Sequence, residues 1–71
     1  MRLAVGDVVT VDILETPKDK PARMIRATGV VEDFDLPEQP PGVFVRLIRP
    51  VNGSSNYYVH RERVRLHADQ P

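Results

Sequence analysis

The sequence predicts an all-β domain: five short strands forming one small barrel, with a single 3₁₀ turn before the last strand. Three observations lead there. Seven prolines, at positions 17, 21, 37, 40, 41, 50 and 71, leave few stretches able to carry an ordinary helix, because proline lacks a backbone N–H and clashes with the preceding turn. Between the prolines, apolar and polar residues alternate with a period of two, which puts one side of each stretch on a core. The pair Asn52-Gly53 between two such stretches is the strongest short hairpin signal, since both residue types tolerate the positive φ that a tight turn demands.

In "GDVVTVDIL", Val9, Val11 and Ile13 share one parity, while Val8, Thr10, Asp12 and Leu14 form a more mixed one, as in a strand with one face on a core. "ETPKDKPAR", residues 15–23, follows with two prolines and four charged side chains after Glu15, and reads as a long exposed loop. From Met24 to Phe34, "MIRATGVVEDF" is a second strand rich in β-branched residues, with Gly29 at the place where it is expected to bend or bulge. "DLPEQPPG" is the next loop. In "VFVRLIR" the third strand turns Val43, Val45 and Leu47 inward and Phe44, Arg46 and Ile48 outward. Ser54 and Ser55, beside Asn-Gly, are expected as turn residues.

The final segment, "YYVHRERVRL", sets a parity problem. Tyr57 and Val59 are odd-numbered, Val64 and Leu66 even-numbered, and one unbroken strand cannot move its apolar side chains from one face to the other. A short 3₁₀ turn over "HRER" shifts the register so that both pairs face the same core, leaving Arg63, Arg65 and His67 to project outward. The competing reading is one amphipathic helix from about 57 to 68. Alternation in "RVRLH" fits a strand better.

With 41% hydrophobic and 28% charged residues, the composition is that of one globular domain, residues 1–71, with a core at about 4–67 and a short flexible tail at 68–71. A chain of this size buries only roughly 60% of the surface its unfolded form exposes, so the core is thin. No cysteine is present to add a disulfide or a thiolate metal ligand. "MRLAVGDVV" reaches Asp7 before a signal-peptide hydrophobic region forms, and no run approaches the roughly 20 apolar residues that span a bilayer. These features predict a soluble cytoplasmic protein without membrane contact. Two lysines against eight arginines read as the codon bias of a GC-rich bacterial or phage genome.

Ten basic and ten acidic residues cancel, which argues against bulk attraction to nucleic acid or membrane. Residues 1–42 hold five bases and eight acids; residues 43–71 hold five arginines and two acids. Two readings of this asymmetry follow: opposite charges facing each other across neighbouring strands, or an arginine-rich surface prepared for an acidic partner.

The order of strand, long loop, strand, loop, strand, tight turn, strand, helical turn and strand, carried by "VGDVVTV", "TGVVEDF", "VFVRL" and "YYVHRERVRL", resembles the SH3-like small barrel. The resemblance covers Ala4 to His67. It implies any of several roles: protein-interaction module, nucleic-acid module of the KOW or Tudor type, subunit of an electron-transfer complex, or occasionally enzyme. "GDVVTVDIL" with its following loop also looks like the opening of the MazF-type toxin ribonucleases, although "ARMIRATGVV" matches their second strand only loosely.

Chemistry-bearing motifs are sparse. His60 and His67 lie seven positions apart on different predicted elements and signal neither a metal pair nor a relay. The acids "EDFD" at 32–35 lack the ligand spacing of a calcium loop and read as a solvated strand end. No cofactor or metal is expected. What remains is a non-enzymatic adaptor or regulatory subunit that binds a protein partner, self-association included, through Phe44, Arg46, Tyr58, Arg61 and Arg63. Exposed aromatic rings would supply buried area and arginine would fix an acidic partner. The alternative is nucleic-acid binding, in which the same rings stack on bases. The loops at 15–23 and 33–42 form a second candidate surface.

Overall fold

Branched Cβ atoms stiffen valine and isoleucine in favour of extended backbone, and their alternation with polar residues gives each strand an inner and an outer side. A computed structural model describes residues 2–67, so the tail expected at 68–71 lies outside the described residues. Among the described residues the strands are β1 (Val8–Glu15), β2 (Arg23–Phe34), β3 (Val43–Val51), β4 (Ser54–Val59) and β5 (Val64–Leu66). They form one antiparallel sheet in the order β4-β3-β2-β1-β5. First and last strands are therefore neighbours. The sheet is not closed: β4 and β5 stand at its two ends, and no ladder joins them. No helix among the described residues is long and apolar enough to cross a membrane.

The 3₁₀ turn at Arg61–Arg63 solves the parity problem of the final segment. Tyr57 and Val59 before it pack against the core, and Val64 after it is buried. Apart from that turn, no helix lies among the described residues of this segment, 57–67. Leu66, expected inward with Val64, instead stays 39% exposed. β5 has three residues and pairs only with β1, through Val9↔Leu66 at its outer end, so no strand on its far side covers that side chain. The serines also differ from expectation: Asn52 and Gly53 make the turn at φ +54° and +78°, and Ser54 and Ser55 already belong to β4.

Among the described residues, nine buried hydrophobic side chains fill the core, namely Val9, Val11, Ile13, Val31, Val43, Val45, Leu47, Val51 and Val64, and seven of them are valine. Such short side chains let sheet layers approach closely but supply little area, so the rim matters. Leu3, Ile25, Ala27, Phe34, Tyr57 and Val59 form that rim.

β2 has two partners in succession. Arg23 to Val30 pair with β1, Gly29 to Phe34 pair with β3, and Gly29 and Val30 are shared. The bulge expected at Gly29 lies instead between Val31 and Asp33, around Glu32. Gly29 serves close approach: a Cβ there would stand 2.8 Å from the Arg46 carbonyl oxygen and 3.2 Å from Leu47 Cδ2. Backbone cannot yield as a flexible side chain does. Gly29→Ala should therefore cost about 1–3 kcal/mol of stability, read as a lower midpoint in urea; an unchanged midpoint would mean that β3 does not need this approach.

Candidate interaction surface

The register of β3 against β4 sets Phe44 opposite Tyr58 and Arg46 opposite Asn56 on the outer side of the sheet. Three of the sequence-predicted residues, Phe44, Arg46 and Tyr58, are thereby brought onto one face. Arg61 and Arg63 follow on the 3₁₀ turn, whose first backbone N–H groups need a cap. His60 provides it, with Nδ1 accepting from the Glu62 N–H at 3.2 Å. Tyr58 and Arg63 border one shallow depression of about 540 Å³, together with Val59, His60 and Glu62.

Most of these side chains are also tied into the fold. Tyr58 is half-buried; its hydroxyl donates to the Pro40 carbonyl and accepts from the Leu36 N–H at 3.2 Å. The ring lies against Gly42, where a Cβ would stand 2.9 Å from Tyr58 Cζ. Asp35 closes the same loop: its N–H donates to the Gly42 carbonyl at 2.9 Å and its Oδ1 accepts from the Gly42 N–H at 3.1 Å. Arg46 Nε lies 3.1 Å from Glu32 Oε2. Arg61 reaches Asp35 at 3.4 Å and sets its guanidinium 5.2 Å from the centre of the Phe34 ring. Arg63 makes no ion pair among the described residues.

The charge asymmetry is largely resolved by facing charges. Arg46–Glu32, Arg61–Asp35 and Arg65–Asp12, the last at 3.6 Å, each join an arginine of the second half to an acid of the first. Such exposed pairs contribute about 0–1 kcal/mol each, so they orient side chains more than they stabilise. The acidic run at 32–35 is accordingly not just a solvated strand end. Glu32 holds Arg46, Asp33 Oδ1 accepts from the Phe34 N–H at 2.8 Å, and Asp35 braces the loop.

The two histidines stay apart in role. His60 caps the 3₁₀ turn, while His67 Nδ1 lies 3.2 Å from Thr10 Oγ1 across β1. No group of three or more His, Cys, Asp or Glu among the described residues is arranged to hold a metal ion. Sequence reasoning missed the supporting set Glu32, Asp35, Pro40 and Gly42; only the Asp-to-Gly spacing around a proline-rich loop hinted at it. No family model matches the chain, and comparisons with curated proteins and with solved structures find no match.

Because one hydroxyl holds two points of the 35–42 loop, Tyr58→Phe should lower stability by about 0.5–1.5 kcal/mol per hydrogen bond lost and speed hydrogen exchange at the Leu36 amide. Equal stability and equal Leu36 exchange would show that the loop stands without the hydroxyl.

Proposed function

We propose that this chain is a non-enzymatic interaction module, an adaptor or regulatory subunit of SH3-like barrel type, that binds a protein partner through Phe44, Arg46, Tyr58, Arg61 and Arg63. The observation that carries the reading is the depression shared by Tyr58 and Arg63, in which a rigid aromatic ring adjoins an arginine with no ion partner among the described residues. Tyrosine and arginine concentrate binding energy when a partner dehydrates them together. Phe44, opposite Tyr58, extends the apolar part. Arg46 and Arg61, held by Glu32 and Asp35, are oriented in advance and lose less freedom on binding.

The barrel part of the reading is supported by side-chain contacts between the β3–β4 turn and the end of β1. Asn52 at the β3–β4 turn accepts from Thr16 N at 2.8 Å and donates to the Leu14 carbonyl at 2.9 Å, which joins the hairpin tip to the end of β1. A protein partner is favoured over nucleic acid because two of the five predicted residues already have carboxylates beside them. Affinity for phosphate depends on cations free to replace counterions.

Capture from lysate, followed by mass spectrometry and a direct binding measurement on the captured protein, tests the site. Phe44→Ala combined with Arg63→Ala should weaken a captured partner by about tenfold or more, which corresponds to at least one lost hot-spot contact, while the variant remains folded. A captured set and affinity unchanged by the double substitution would overturn the assignment. Binding to oligonucleotides that falls steeply with salt, with a slope reduced by Arg63→Ala, would instead favour the nucleic-acid reading.

A further inference from the structure

The division of β2 between two partners leaves a parting in the sheet. Arg23 to Thr28 pair with β1 on one side only, because the β2–β3 ladder begins at Gly29↔Leu47. On the far wall, Ile48 to Pro50 of β3 pair with neither neighbour; the β3–β4 register also breaks between Arg46 and Val51. Between the two walls runs a groove of about 440 Å³ lined by Ile25, Ala27, Ile48 and Val51 with Arg26 and Arg49. That volume is in the range of ligand-binding clefts.

Two kinds of unmet demand meet in this groove. The first is backbone: alternate N–H and C=O groups of Arg23 to Thr28 point away from β1 and have no strand to pair with. At about 3.3 Å per residue this free edge is roughly 20 Å long, enough for five or six residues of an added strand. The second is charge. Arg26, although opposite Asp12 in the β1–β2 register, and Arg49 make no ion pair or side-chain hydrogen bond among the described residues, whereas Arg23, Arg46, Arg61 and Arg65 each reach a carboxylate. Apolar surface sits beside them, with Ile48 65% exposed and Met24 51% exposed.

We infer that the parting between β2 and β3 binds an extended acidic segment of a partner protein by strand addition. Backbone pairing to the β2 edge supplies affinity without regard to sequence, apolar side chains of one parity lie beside Ile25 and Ala27, and acidic side chains of the other parity meet Arg26, with Arg49 on the facing wall. A second copy of this edge is a poor occupant, because the same arginines would then repel each other. Nucleic acid fits less well: the groove offers aliphatic walls, has no aromatic ring among its lining residues on which a base could stack, and carries two cations on a chain of zero net charge. The surface is distinct from the face around Phe44 and Tyr58, so either assignment stands or falls alone.

Selection of a displayed library of random twelve-residue peptides on the immobilised chain tests the inference, with the Arg26→Gln/Arg49→Gln chain as counter-target. Both arginines are exposed and unpaired, so the double variant should keep the wild-type unfolding midpoint and amide spectrum. The expected outcome is enrichment of peptides that alternate apolar residues with Asp or Glu and bind the double variant about tenfold more weakly. In an amide NMR titration they should shift residues 24–28 and 48–51 and leave 58–63 in place. No enrichment over background, enriched peptides without acidic residues, or equal affinity for the double variant would overturn it. So would peptide shifts centred on 58–63, or a mixed-sequence single-stranded DNA oligonucleotide occupying the groove as tightly as the best peptide.

Discussion

One strand serving two neighbours governs this structure. β2 has twelve residues against eight in β1 and nine in β3, and it gives its first part to β1 and its last part to β3. Its two ladders overlap at Gly29 and Val30, and Val31 beyond them still bonds Gly6 and Asp7 ahead of β1. The absent side chain at Gly29 lets the Arg46 carbonyl approach there, and from that point the two halves of the sheet diverge. The divergence turns Val9, Val11 and Ile13 of β1 towards Val43, Val45 and Leu47 of β3, which is how a single small sheet encloses a core at all. It also leaves the unpaired edge from Arg23 to Thr28.

A core made mostly of valine needs polar fastenings at its margins, and these come from tyrosine and asparagine. Tyr57 donates to the Val51 carbonyl within the β3–β4 hairpin, and Asn52 Nδ2 reaches both Tyr57 Oη and the Leu14 carbonyl. Tyr58 does the corresponding work at the opposite end of β4, where it holds the proline-rich loop. Each ring thus fills rim space with its body and satisfies backbone with its tip. Of the five residues on the proposed face, Tyr58 is consequently a brace whatever it binds, whereas Arg63 has no ion partner to lose among the described residues.

Strand positions and inner parities were legible because β-branched alternation and proline punctuation act locally. The 3₁₀ turn was legible for a related reason: a change of parity between Tyr57 and Val64 has to be absorbed somewhere, and "HRER" is where no apolar side chain is displaced. Features that depend on one strand meeting another were not. The bulge at Glu32 follows from how β2 fits β3, Leu66 is exposed because β5 is a short end strand, and Arg46 meets Glu32 only through the register of that pair. The groove carrying Arg26 and Arg49 was invisible for the same reason. Nothing in the local pattern singles out either arginine; the place where the two ladders of β2 part sets them about one groove.

Amide hydrogen exchange along β2, followed by NMR on the free protein, tests this division most directly. Between Arg23 and Thr28, amides directed at β1 should be protected while the intervening ones exchange at rates close to those of open chain; past Gly29 the amides turned away from β1 should gain protection from β3, while Val31 stays held by the Asp7 carbonyl. Protection of both alternate sets through Arg23 to Thr28 would mean that the edge is already paired or covered, and would contradict the account of an open parting in the sheet.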